Sequence, residues 1–407
     1  LRPHHLAEFA RGELAPALVC HASDGGKPKE LYALASADTQ VHLGSAAAWN
    51  RLKVGSYFGL WYVLSIIYSV KNKQAHLALA LPNAIATAQL VVGAIIAGLM
   101  WTLRMRTPPT LSTSSFIALL PIGLFHGVGH LTGVYATAVG SVSFVQVVKS
   151  LGPAWACLLS GLVLRQSVSR AVWLSLLPIC GGVALASANE LQFVWSAFIG
   201  AAASDLALAL RNVYSKLSMD RPQAGNMTPQ NTFYTFTCLS LLFCVPFTLL
   251  LEWTSALRAW AAAAPSKAAA GALLSLIAQS GVYFTLYSEV QFLALNSVSP
   301  VTHAVGNTMR RVVIMLVCIA VFRTPVSTLG AIGSAVAVWG SYVYAQTKTR
   351  EKQQEDEAKL KAAAASPSDT VAVAGAATDS GKPLTHPLFT LMKLIGKSGL
   401  CGSAAPK

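Results

Sequence analysis

Residues 299–346 read SPVTHAVGNTMRRVVIMLVCIAVFRTPVSTLGAIGSAVAVWGSYVYAQ. Two apolar runs, 299–322 and 327–346, stand on either side of a short joint, Arg323-Thr324-Pro325. Each run exceeds the roughly 18 residues that carry a helix across a bilayer core. The joint supplies the residue types with which a chain leaving the bilayer exposes its backbone to water. Working outward, the same pattern recurs at 54–70, 78–103, 115–138, 141–164, 171–188, 194–217, 231–251 and 269–295. Composition agrees, because 54% of the chain is hydrophobic and only 11% charged, against about 25% charged in an ordinary soluble domain. So few charges cannot cover a soluble surface.

The reading is an all-α polytopic membrane protein of about ten transmembrane helices. Residues 1–48 are polar and Ala-rich without a usable apolar run, and are expected to be disordered. The tail, 348–407, opens with the charged stretch from Lys348 to Lys361 and continues Ala/Ser/Pro/Gly-rich, so most of it is also expected to be disordered. The seven cysteines form no CxxC pair, and Cys157, Cys180, Cys238, Cys244 and Cys318 fall within apolar runs. They read as small core residues.

Three local matches relate the two halves. Tyr68-Ser69 with Lys71 answers Tyr214-Ser215-Lys216, Ser141-Val142-Ser143 answers Ser297-Val298-Ser299, and Arg165 to Ser169 answers Arg323 to Ser327. Their offsets of 146, 156 and 158 residues pair each run with the run five further on. An odd number of spans per copy makes the second copy enter from the other face. The expected organisation is therefore two inverted five-helix repeats, 49–190 and 191–347, with a binding site at their interface.

Between Trp49 and Thr347 there are 17 Lys or Arg against Glu190, Asp205, Asp220, Glu252 and Glu289. Most cations sit at helix ends, as anchoring and the positive-inside rule require. The side bearing Arg51, Lys53, Arg104, Arg106, Arg165, Arg170, Lys216 and Arg221 is the more cationic, and both termini are expected on it. Inside the runs lie Lys149, Arg211, Arg310 and Arg311 with Asp205 and Glu289. Each intramembrane charge costs about 2.5–3.5 kcal/mol on insertion scales. Four cations against two carboxylates leave a surplus that an anion would neutralise, and Lys149 with Arg310-Arg311 occupies runs the repeat makes equivalent. An ammonium and guanidinium forks together suit a phosphate dianion. The competing readings pair an arginine with Glu289 and let Arg211 snorkel from a helix end. His126 and His130, spaced i, i+4, could form a metal pair, but a hydrogen-bonding His130 and a structural His126 are preferred.

The stretch Val298-Ser299-Pro300-Val301-Thr302-His303-Ala304-Val305-Gly306-Asn307-Thr308-Met309-Arg310-Arg311-Val312-Val313 resembles the signature of the plastid phosphate translocator family, within the drug/metabolite transporter superfamily. Tyr57 to Tyr62, Asn72-Lys73, Val142-Ser143-Phe144 with Lys149, Arg211 to Lys216, and Leu286-Tyr287 extend the resemblance over about Gly55 to Lys348. The resemblance implies that Lys149, Arg310 and Arg311 bind phosphate, and that Tyr287 and His130 line the same pocket. It also exposes departures. Arg310 stands where most members have Lys, Gly152 replaces the Glu of a KxxEP element, and Gly133 replaces a binding-site Thr, leaving Thr132 one place early and turned about 100° away on an ideal helix.

The implied activity is antiport of three-carbon phosphates (triose phosphate, 3-phosphoglycerate or phosphoenolpyruvate) against inorganic phosphate in a plastid or plastid-derived membrane. Alternating access would drive it, with no enzyme activity, no cofactor or metal, no nucleic acid and no obligate protein partner. The candidate site is Lys149, Arg310, Arg311, Tyr287, His130, Thr132 and Arg211. The alternatives are a nucleotide-sugar transporter of the same superfamily and a multi-span membrane enzyme using His126, His130 and Glu289.

Overall fold

The computed structural model describes residues 28–165, 167–218, 225–298 and 300–364. The helices are α1 (Pro28–Ala78), α2 (Pro82–Thr102), α3 (Thr113–Val139), α4 (Val142–Val148), α5 (Gly152–Leu162), α6 (Arg170–Ala188), α7 (Trp195–Ser218), α8 (Pro229–Ala263), α9 (Lys267–Ser297), α10 (Pro300–Phe322) and α11 (Thr328–Ala364). Helix starts are written locally. Hydroxyls of Ser112, Ser141, Ser169, Thr228 and Ser266 accept the backbone N–H three residues on, capping α3, α4, α6, α8 and α9. Ser327 does the same for Gly330 at the start of α11, at 3.0 Å. Pro82 opens α2, where its missing N–H costs nothing. Several joints end on a left-handed arginine: φ is 55° at Arg104, 50° at Arg165 and 49° at Arg323.

The run at 141–164 is not one smooth helix. Pro153 has no N–H and its ring crowds the Lys149 carbonyl four residues back, so α4 and α5 are joined by a 3₁₀ turn, Lys149–Leu151. The Gly152 N–H closes that turn onto the Lys149 carbonyl. Lys149 therefore sits at a break in mid-span.

Among the described residues, seven helical segments are long and apolar enough to cross a membrane: α2, α3, the α4–α5 pair (Val142–Leu162), α6, α8, α9 and α10. The remaining runs, in α1, α7 and α11, are helical too but less apolar. α7 shows why, since one face carries Ser204, Asp205, Arg211 and Asn212. Two ends extend beyond the sequence expectation. α1 begins at Pro28, inside the segment expected to be disordered, because its Ala-rich stretch holds no proline after the first residue. α11 continues through the charged stretch to Ala364. The expectations for residues 1–27 and 365–407 lie outside the described residues. The chain divides into a unit ending at Thr349 and a second beginning at Arg350, whose described part is helical.

Within the first unit, α3 packs along α7 and α1 along α9. α8 lies against α3 and α2 against α9, while α2 also meets α8, and α4 meets α10. α6 and α11 cross at glycines: a Cβ on Gly333 would come within 2.5 Å of the Ala186 nitrogen, and one on Gly340 within 2.7 Å of the Ile179 nitrogen. Bilayer helices associate through such small residues, because apolar burial drives nothing in lipid. The outward faces are leucine-rich, as lipid contact demands. Leu250 is 85% exposed.

Candidate functional site

Lys149, at the break between α4 and α5, points into a cavity of about 1030 Å³. α3 contributes His130 to its wall, α7 contributes Asp205 and Arg211, α9 contributes Tyr287, and α10 contributes Arg310 and Arg311. Six of the seven residues singled out from sequence thus share one chamber. Thr132 does not line it; its hydroxyl donates to the Val128 carbonyl at 2.7 Å, one turn back on its own helix.

Arg310 is the most tightly held of the cations. Its Nε and Nη2 donate to Asn307 Oδ1 at 3.2 and 3.0 Å, and Nη1 donates to Ser65 Oγ at 3.2 Å. The guanidinium also lies 5.1 Å from the Trp61 ring and 5.8 Å from the Tyr287 ring, a cation–π setting. Trp61 is itself stacked on His303. Arg311 is held loosely: its Nη1 stands 4.0 Å from Asp205 Oδ2. Both atoms are buried and without a hydrogen bond among the described residues.

Arg211 faces the same chamber from α7. Its Nη1 lies 3.1 Å from His126 Nδ1, and its other nitrogens reach Asn212 Oδ1. A guanidinium only donates, so His126 Nδ1 accepts and the ring carries its proton on Nε2. His126 is therefore the partner of Arg211. His130 packs against Phe284 with ring centroids 4.2 Å apart. Among the described residues, no three His, Cys, Asp or Glu side chains gather as a metal site.

Glu289 balances none of the arginines expected inside the membrane. Its carboxylate is paired with Arg106 Nη2 at 2.7 Å and accepts from the Tyr234 hydroxyl at 2.8 Å. The sequence placed Arg106 in a loop, and that loop folds back onto α8 and α9. With Glu289 withdrawn, the chamber wall carries, among the described residues, Lys149, Arg211, Arg310 and Arg311 against Asp205 alone. The formal surplus is +3 with neutral histidines. An anion is what would neutralise such a surplus.

Residues 52–345 match the Triose-phosphate Transporter family. The chain belongs to that family. Among its relatives, the chloroplastic phosphoenolpyruvate/phosphate translocator 1 of Oryza sativa subsp. japonica is 36% identical over 297 residues, covering 72% of each chain. The chloroplastic xylulose 5-phosphate/phosphate translocator of Arabidopsis thaliana is 34% identical over 328 residues, 79% of this chain and 78% of that one. The chloroplastic triose phosphate/phosphate translocator of Flaveria trinervia is 32% identical over 319 residues, 78% and 77% of the two chains. Members of this family are transporters, so the enzyme reading falls away.

Residues that hold these cations in place were only partly singled out. Asn307 and Trp61 lie inside stretches that carried the resemblance, yet their contacts with Arg310 needed the fold. Ser65 had no signal, being one serine in an apolar run. Asp205 was visible as an intramembrane charge, and its neighbour Arg311 became apparent only when α7 and α10 were placed together.

Proposed function

We propose that the chain is an antiporter that exchanges three-carbon phosphates for inorganic phosphate across a plastid or plastid-derived membrane. The observation that carries this reading is the chamber with a surplus of three positive charges. Phosphate and phosphate esters are the substrates named in the relatives, and a dianion supplies most of the missing charge. Lys149, Arg311 and the remaining donor capacity of Arg310 hold the phosphate, while Tyr287, His130 and Arg211 face the carbon moiety. Thr132 has no direct part in this reading. No cofactor or metal is needed, because nothing is bonded or oxidised during translocation.

The mechanism is alternating access between two inverted five-helix repeats of a ten-span protein. Three features support it. Exchanging each span with the one five further on maps the α3–α7 packing onto α9–α1, and the α3–α8 packing onto α9–α2. The same exchange turns the α2–α8 and the α4–α10 contacts into themselves. Arg165 and Arg323 share the left-handed conformation, and Ser169 and Ser327 cap the helices that follow. Ten crossings return the chain to the face it left, so both ends of the membrane unit lie on the cationic side.

Coupling follows from charge. Closing an empty chamber over uncompensated cations costs several kcal/mol per ion, whereas a loaded one is close to neutral. Only the loaded carrier crosses readily. The test is counter-exchange in liposomes preloaded with inorganic phosphate, against triose phosphate, 3-phosphoglycerate, phosphoenolpyruvate, pentose and hexose phosphates, and nucleotide sugars. Uptake of three-carbon phosphates ahead of the rest is expected. Preferred uptake of nucleotide sugars would overturn the reading.

A further inference from the structure

Two departures from the family pattern, Gly133 and Gly152, look onto adjacent residues of α7. A Cβ on Gly133 would lie 2.8 Å from both Lys149 Nζ and Ser204 Oγ. One on Gly152 would lie 3.4 Å from Asp205 Oδ2 and 3.8 Å from Arg311 Nη2. The space that a threonine and a glutamate would reach into is thus bordered from α7 by a hydroxyl and a carboxylate. Ser204 is fully buried and donates to the Gly129 carbonyl at 2.6 Å. Asp205 is 5% exposed, and its Oδ2 faces Arg311 without a hydrogen bond among the described residues.

We propose that Asp205 is the resident counter-ion of the chamber, a positioning residue whose carboxylate stands in for the acid missing at position 152. This rests on the phosphate-exchange reading. Three observations support it. The carboxylate borders the position where a side chain at 152 would begin. Among the described residues it is the single acid on a wall with four Lys or Arg. Its 4.0 Å separation from Arg311 is that of a loose ion pair, which a bound dianion can displace, and not of a locked bridge. With no anion bound, Asp205 limits repulsion between Lys149 and Arg311. When phosphate enters, the same negative charge opposes it. Removing Asp205 should therefore weaken the empty protein and strengthen phosphate binding, two effects of opposite sign.

The experiment compares four detergent-purified proteins: native, Asp205→Asn, Gly152→Glu, and the double variant. Inorganic phosphate affinity and the ligand-free thermal midpoint are measured for each. Asp205→Asn should melt several degrees lower and bind phosphate about fivefold tighter or more. Gly152→Glu should bind phosphate about fivefold weaker or more, and the double variant should return both quantities toward native. A purely structural Asp205 would lower stability and affinity together, which overturns the proposal, as does an unchanged affinity. If Asp205→Asn does not fold, a folded, native-like double variant supports the proposal and an unfolded one overturns it. A native protein that ignores phosphate overturns the exchange reading instead. The midpoints then judge the counter-ion alone, since rescue of Asp205→Asn by Gly152→Glu supports it and failure of rescue overturns it.

Discussion

In the proposed site, Arg310 would meet the substrate with much of its fork already engaged by Asn307 and Ser65. A lysine there keeps the charge but cannot hold both partners and lie against Trp61 and Tyr287. Arg310→Lys should therefore raise the KM for phosphate about 3- to 10-fold and change the ranking of three-carbon phosphates; that is about 0.7–1.4 kcal/mol, a fraction of the roughly 1.5–3 kcal/mol of one charged hydrogen bond. Arg310→Gln should abolish exchange. Kinetics in proteoliposomes check both, and two silent variants would remove Arg310 from the site. Among the described residues Lys149 has no such scaffold, and its proposed role is charge at the break. Lys149→Met should lose about 2–5 kcal/mol of phosphate binding while the protein still inserts, as membrane extraction and liposome exchange together would reveal.

At the scale of elements, the α4–α5 break and the Arg106 loop invite different experiments. Pro153→Ala restores a donor and removes the ring from the Lys149 carbonyl, so the 3₁₀ turn can relax toward α-helix and rotate Lys149. Slower exchange with unchanged or higher thermal stability is the expected result. Normal exchange would show that the break is incidental. Glu289→Gln attacks a different joint, where Arg106 and Tyr234 meet. It should lower the thermal midpoint by several degrees with phosphate affinity nearly native, because Glu289 does not face the chamber.

These elements also show what could be read in advance. Apolar runs and their punctuation placed the helices, since bilayer length and helix capping are local properties. Lys149, Arg310 and Arg311 stood out because a charge in hydrocarbon needs a partner. The partners themselves were not legible. Arg106 to Glu289 spans 183 residues of sequence, and Arg311 to Asp205 joins helices that only the packing brings together. The break at Lys149 was written in Gly152-Pro153, yet a hydropathy pattern runs through it unchanged.

For the whole molecule, the surplus charge predicts strict coupling: liposomes without internal phosphate or phosphate ester should take up little substrate, and preloading should restore uptake. Equal uptake into empty and loaded vesicles would mean a channel or uniporter. The face where α3 ends is tied down by Lys73, whose Nζ donates to the carbonyls of Thr137, Ala138 and Gly140 at 3.0, 3.2 and 2.8 Å. That cation satisfies carbonyls a helix end leaves open.

The left-handed arginines at the helix ends have a practical side. Arg104, Arg165 and Arg323 are exposed at joints where the backbone has already left the helix, the sort of place a trypsin-like protease can seize. In the proposed ten-span topology, Arg104 and Arg165 are separated by two crossings and Arg165 and Arg323 by five. In sealed vesicles of uniform orientation, external trypsin should therefore nick the chain after Arg104 and Arg165 or after Arg323, but not after all three. The fragment sizes on a gel would give both the sidedness of the carrier and the parity of its crossings.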